Sequence, residues 1–268
     1  MPTLTANDIQ IYYEIHGSGQ PLVLISGLGY GLWQWHRMVP GLSEHFQVIV
    51  YDNRGAGQTD KPAGPYSASM MAADLAGLLD GLGVEKTAVL GHSMGGFIAQ
   101  QLVLDRPDLV SHLILASTNF GGPNHIPVSP EALAIMMDTT SDPLTRLKNG
   151  VTIAAAPGFP ENQTDIFQSI IAYRLTAPVP TEAYQAQMGV GLGLATAEAA
   201  YEGKLRQVSV PTLILFSEHD IVVPVGNAEL LAGELSNSQI VVLPDAGHIF
   251  PLEMPEAANK AIIAFLSA

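Results

Sequence analysis

The run Gly91-His92-Ser93-Met94-Gly95-Gly96 sets a serine among small residues. A Gly-x-Ser-x-Gly pattern between a strand and a helix forms a sharp, strained turn that lifts the serine Oγ clear of the backbone. The glycines leave room where strand and helix backbones pass closely. The following helix aims its N-terminus, the positive end of its dipole, at the same place. A serine so placed attacks carbonyl carbons once a base removes its proton. The pattern is short, and alone it is equally a glycine-rich turn with an incidental serine. Its context, an apolar run before and a helical run after, selects the nucleophile.

The base comes from eight histidines. His248, in Asp245-Ala246-Gly247-His248, follows the last apolar run and precedes the last helical one. That puts it on a loop at the carboxyl edge of a sheet, where open α/β sheets carry their sites. The alternative is a surface-loop histidine. His92 adjoins the serine, but neighbouring side chains diverge on a tight turn, so it is read as packing. His16, His36, His45, His112 and His125 have no comparable placement. A carboxylate must orient the base. Asp220, in Ser217-Glu218-His219-Asp220, follows the run ending near Phe216. Glu218 is the rival, but it lies nearer the strand end, with less reach toward the His248 loop. His219 is set aside.

Charge on a tetrahedral intermediate needs donors. The loop Ser26-Gly27-Leu28-Gly29 follows an apolar run. The backbone N–H groups of Leu28 and Met94 are the expected oxyanion pair. Taken alone, this loop is also a plain turn.

These residues need a scaffold. Ile9, Ile11, Tyr13 and Ile15 alternate with polar neighbours, which predicts a half-buried strand. Six short apolar runs follow, 22–25, 46–50, 87–90, 113–116, 212–216 and 240–243, suited to a parallel sheet covered on both faces. Helical spacing covers 69–82, 94–104, 228–235 and 256–266, with Pro255 suited to a first helical turn. The alternation predicts an α/β fold, a mostly parallel, doubly wound sheet. Residues 119–206 break it. They hold many prolines, helical pieces near 131–138 and 181–188, and no convincing strand. A stretch this long is no mere loop, so it is expected to be a helical cap inserted into a core domain of 1–118 and 207–268.

Composition narrows the partners. The 268 residues carry 11 basic and 25 acidic groups, a net charge of −14. Such a surface repels nucleic acid and anionic membranes, so neither is expected as a partner. Hydrophobic residues make up 47% of the chain and charged ones 13%, the profile of a chain with a large core. There is no cysteine, which removes thiolate catalysis, thiolate metal sites and disulfides. No metal or cofactor is expected. No signal-like N-terminus or membrane span is visible, so the cytoplasm is the expected compartment.

With these motifs in place, the sequence resembles the α/β-hydrolase superfamily, specifically its small cap-bearing esterases and lactonases. The resemblance rests on Gly27-Leu28-Gly29, the turn from Tyr51 to Gly57, Gly91 to Gly96, Asp220-Ile221-Val222-Val223-Pro224 and Ala246-Gly247-His248. The chain order Ser93, Asp220, His248 is also that of the family. Trp35, the Asp52-to-Gly57 turn and Gly64-Pro65-Tyr66 look most like 3-oxoadipate enol-lactonases and related carboxylesterases. Two departures stand out: Ser26-Gly27 replaces a frequent His-Gly, and Gly57-Gln58-Thr59 replaces Gly-x-Ser.

The resemblance implies hydrolysis of a small ester or lactone through an acyl-enzyme, with loss of activity below about pH 6.5 for an ordinary imidazole. C–C bond hydrolysis and cofactor-free perhydrolysis use the same triad and stay open. So does a receptor built on a hydrolase scaffold, although a pure binder need not keep all three residues. A dicarboxylic substrate would want cations in the cap, where Arg146, Lys148 and Arg174 lie. Leu133, Met136, Met137, Met188 and Leu192 suggest either an apolar pocket roof or the cap's own core. Oligomeric state is left open.

Overall fold

The computed structural model describes residues 2–138 and 140–268. Eight strands form one sheet: β1 (Thr3–Ala6), β2 (Ile9–His16), β3 (Pro21–Ile25), β4 (Gln47–Tyr51), β5 (Thr87–His92), β6 (Val110–Ala116), β7 (Thr212–Ser217) and β8 (Ser238–Leu243). Their spatial order is β1-β2-β4-β3-β5-β6-β7-β8. β2 runs antiparallel to β1 and β4. Every other neighbouring pair is parallel.

Both faces of this sheet are covered, which explains the unbroken apolar runs. On one face Val23, Ile25, Val89, Leu113 and Leu115 join helices α2 (Ala68–Gly81) and α3 (Met94–Asp105). Leu22, Leu24, Leu90 and Ile114, the alternate residues of the same strands, face the other way. There they meet the short α1 (Val39–Leu42) and a C-terminal helix. A period of two, apolar at both phases, is the signature of a sheet inside a sandwich of helices.

The flanks depart from expectation. β1 is short and polar and gave no usable pattern. In β2, Tyr12 is buried although it lies on the polar phase, because its backbone is tied to Thr59 and Asp52 of the loop above. Ile15, on the apolar phase, is exposed. β8 is an edge strand, and Val242 faces solvent.

Residues 119–206 contain α4 (Pro130–Met136), α5 (Pro143–Ala154), α6 (Phe159–Asn162), α7 (Thr164–Thr176) and α8 (Thr181–Leu192). Prolines that break the pattern in sequence turn out to start helices. Pro130 and Pro143 lie in first turns, behind Ser129 and Asp142, whose side chains accept from the next free N–H groups. The segment is closed at its stem: Tyr201 N–H donates to Phe120 O (2.8 Å) and Gly122 N–H to Leu194 O (2.7 Å). The chain ends with α9 (Asn227–Glu234), α10 (Phe250–Glu253) and α11 (Pro255–Leu266). Among the described residues no helix is long and apolar enough to cross a membrane.

Candidate active site

Ser93 joins β5 to α3 at φ 55, ψ −119, a conformation L residues rarely adopt. The neighbouring glycines are required by contact. A Cβ on Gly91 would lie 2.3 Å from Gly95 O, and one on Gly95 2.3 Å from Ile25 O. The strained turn is held from outside: Ser93 N–H donates to Ala116 O (2.9 Å), and Thr118 Oγ1 donates to Ser93 O (2.9 Å). Sheet neighbours therefore stabilise a geometry the local chain would not choose.

Asp220, His248 and Ser93 come together as a chain. His248 Nδ1 lies 2.8 Å from Asp220 Oδ2, and His248 Nε2 lies 3.0 Å from Ser93 Oγ. The Asp220 side chain is wholly buried, and its other oxygen accepts from Val222 N–H (2.9 Å) and Val223 N–H (2.7 Å). Asp220 accepts from Nδ1–H, which leaves Nε2 free to accept from the serine hydroxyl. Glu218, the rival carboxylate, is exposed and makes no such contact.

Leu28 lies in a turn closed by Tyr30 N–H to Gly27 O (3.2 Å), with Gly29 at φ 72. Among the described residues neither Leu28 N–H nor Met94 N–H meets an acceptor in a loop or side chain. A Cβ on Gly27 would sit 3.3 Å from Ser93 Cβ, so this turn borders the serine. Ser26 Oγ, at the position of the frequent histidine, donates to Gly31 O (3.0 Å) and closes the loop from beneath. Asn53 Nδ2 donates to Ser26 O (3.0 Å), and Asp52 accepts from Leu32 N–H and Gln58 N–H (2.7 Å each). The Asp52-to-Gly57 turn is thus a prop under the loop. Thr59, in place of the usual serine, accepts from Tyr12 N–H (2.9 Å).

His92 does not reach Ser93 Oγ, but it does more than pack. Its Nε2 lies 2.7 Å from His248 O, and its Nδ1 lies 2.8 Å from Gln34 Nε2. Gln34 Oε1 in turn accepts from Gly27 N–H (2.9 Å). Each donor in this chain points one way, so His92 is neutral with its proton on Nε2. Burial, and then the neighbouring His248, push the His92 pKa well below its ordinary value. Gln34 was invisible in sequence, since nothing in its spacing relates it to the serine.

The segment 119–206 reaches the same loops. Tyr173 of α7 stacks on Trp33, with ring centroids 4.1 Å apart. Val151, Phe167, Ile170 and Ile171 pack with Tyr30, Trp33, Ile249 and Leu252. Arg174, one of the three cations, donates to Gly29 O (3.0 Å) and lies over the Tyr30 ring. Leu133, Met136, Met137 and Leu192 are exposed, so they are not the segment's core.

A concavity of about 680 Å³ opens at the seam near Ala156, His219, Asp245 and Glu253. Neither Ser93 nor Leu28 lines it, so it lies beside the chemistry and not over it. Glu218, His219 and Asp245 can each offer one metal-ligand atom within 4.8 Å of one another, and the two acids are exposed. The triad includes none of them.

Known proteins share this architecture. A family model described as the alpha/beta hydrolase fold matches residues 20–255. A protein of Azorhizobium caulinodans named as a candidate carbamate hydrolase, RutD, is 29% identical over 99% of this chain and 98% of its own. The enol-lactonase from Burkholderia xenovorans superposes with a TM-score of 0.83 at 25% identity, covering 100% of both chains. A thermophilic esterase from Thermogutta terrifontis gives 0.82 at 28% identity, covering 99% of this chain and 97% of its own.

Proposed function

The chain belongs to the α/β-hydrolase fold family, and from that premise we propose that it is a serine hydrolase cleaving a small carboxylic ester or lactone through an acyl-enzyme. The observation that carries this reading is the relay Asp220–His248–Ser93, at 2.8 and 3.0 Å, on a strained turn. The enol-lactonase and the esterase among its relatives support the choice of bond.

Ser93 Oγ attacks the carbonyl carbon as His248 Nε2 takes its proton. The carbonyl oxygen becomes an oxyanion between Leu28 N–H and Met94 N–H. His248 returns the proton to the leaving alkoxide. Water, deprotonated by the same imidazole, attacks the acyl carbon, and Ser93 leaves reprotonated. Asp220 keeps the imidazole in its productive tautomer and supports its positive form. Water is the only co-reactant the balance needs. Residues 119–206 are the lid over a catalytic unit of 1–118 and 207–268. The partner is a small neutral ester or lactone, consistent with a chain of net charge −14.

The test is turnover of p-nitrophenyl acetate by the protein and by Ser93→Ala. Loss of about 10³-fold or more in kcat is expected. Unchanged turnover in the variant overturns the mechanism. A panel of acyl lengths, lactones and one carbamate then ranks the substrates.

A further inference from the structure

The turn 27–30 is gripped from two sides. From the core, Gln34 Oε1 accepts from Gly27 N–H (2.9 Å). From the inserted segment, Gln187 Oε1 of α8 accepts from Gly29 N–H (2.9 Å). Arg174 Nη1 of α7 donates to Gly29 O (3.0 Å), so both backbone polar groups of Gly29 are held by the segment. Gln187 is wholly buried, and its amide nitrogen donates to Arg54 O (2.9 Å). That second bond fixes which end of the amide faces Gly29, because Arg54 O can only accept. Arg54 is itself anchored by a two-point contact with Asp74, at 2.6 and 2.8 Å.

The pinned peptide adjoins the one that carries the donor. Gly29, at φ 72, occupies the third position of a turn closed by Tyr30 N–H to Gly27 O. In such turns the central peptide, here Leu28–Gly29, is the unit that flips between turn types. A flip would turn the Leu28 carbonyl toward the side now occupied by Gln187 and change the ψ of Leu28, the torsion that joins this peptide to the Gly27–Leu28 peptide carrying the donor N–H. An oxyanion donor works only if it is aimed before charge develops.

We infer that Gln187 and Arg174 are positioning residues for the oxyanion hole, so that the inserted segment completes the catalytic centre as well as covering it. The inference rests on the serine-hydrolase reading above. Neither side chain needs to touch the substrate.

Gln187→Met keeps the length of the side chain and removes both hydrogen bonds. The readouts are kcat and KM for p-nitrophenyl acetate, and affinity for a trifluoromethyl ketone. Ser93 adds to that ketone to give a hemiketal oxyanion in the same donors. The expected result is a fall of about 10- to 100-fold in kcat and in ketone affinity by the same factor, less than deletion of a whole donor. KM should stay within about twofold, since ground-state binding makes no use of the aimed donor. A purely structural role would not make ketone affinity track kcat. Arg174→Met, at a half-exposed position, should show the same pattern at smaller size, and it serves as the test if Gln187→Met does not fold. Unchanged kcat and ketone affinity in a folded variant overturn the inference. Labelling of Ser93 by a fluorophosphonate in the unmodified protein separates the two readings. A labelled protein with indifferent variants overturns only the positioning role, whereas an unlabelled one overturns both.

Discussion

The two sides of the candidate site are built differently. On the sheet side, Ser93 directly follows β5, Met94 opens α3 and Asp220 lies three residues beyond β7, and backbone groups of neighbouring strands and turns fix Ser93 and Asp220. Ser93 is held by Ala116 O and Thr118, and Asp220 by two amides two and three residues away. On the segment side, the turn around Leu28 and the loop of His248 lean on residues far off in sequence. Gln187 and Arg174 grip the first. The end of α5 grips the second: Ile249 N–H donates to Ala154 O (3.1 Å), and a Cβ on Gly247 would lie 2.4 Å from Ala155 C. One half of the site is therefore a property of the sheet, and the other a property of packing between the sheet and residues 119–206.

On the sheet side, a substitution that keeps shape and volume should have a large chemical effect at little cost in stability. Asp220→Asn keeps the shape and the buried volume but offers the imidazole an amide. If the amide turns its NH2 toward Nδ1, the ring must place its proton on Nε2, where it cannot accept from Ser93. Turnover should drop by about 10⁴-fold. Thermal midpoint should move little, because the oxygen facing Val222 and Val223 is retained. Turnover within tenfold of the unmodified protein would mean that Asp220 does not set the tautomer.

The second comparison pits two glycines against each other. Gly95→Ala forces a Cβ to 2.3 Å from Ile25 O, a backbone atom of a central strand that cannot yield. Overpacking of this kind costs about 1–3 kcal/mol, so the urea midpoint should fall along with activity. Gly247→Ala collides with the backbone of Ala155 and Ala156, at the C-terminal end of α5. That helix lies outside the sheet, in residues 119–206, and its end is expected to give way more readily than a central strand. Stability should suffer less, while displacement of His248 lowers kcat by about 10- to 100-fold, the cost of a misplacement near 1 Å. Equal loss of stability in the two variants would erase the distinction between rigid and yielding sides.

The same division explains what could be seen in the sequence. That Ser93, Asp220 and His248 come together was legible because a parallel sheet dictates where its strand ends lie, and their spacing to apolar runs is local. The proposal of Leu28 and Met94 as donors rests on the same logic. The contacts that Gln187, Arg174 and Gln34 make with this turn were not legible, since a single amide or cation has no periodicity. Their partners lie 158, 145 and 7 residues away. The α7 helix was a near miss: Phe167, Ile170 and Ile171 have helical spacing and are buried, but prolines on either side masked it. His92 shows the limit of reasoning from turns. Its side chain does diverge from Ser93, yet it diverges onto the backbone of the residue that serves Ser93.

The smallest expected effect lies at the seam itself. Glu253 accepts from Ala156 N–H, just beyond α5 (2.7 Å), and from Gly247 N–H, next to His248 (3.1 Å). These amides pull its pKa down, but burial outweighs them and pushes it up to about 7. Unfolded, the group titrates near 4.5. Between those values the folded protein holds the proton more tightly than the unfolded one, so stability falls as pH rises through that window. Below it the contribution is fully present, and above about pH 7 the slope vanishes. Glu253→Gln removes the titration and keeps one acceptor for two amides. Its midpoint should lie below that of the unmodified protein at pH 5, and the gap should narrow by a few degrees toward pH 7.5. A gap constant from pH 5 to 8 would place the carboxyl in ordinary contact with water. A gap that narrows, with the kcat–pH profile of Glu253→Gln displaced from that of the unmodified protein over the same interval, would tie the seam's protonation to the loop that carries His248.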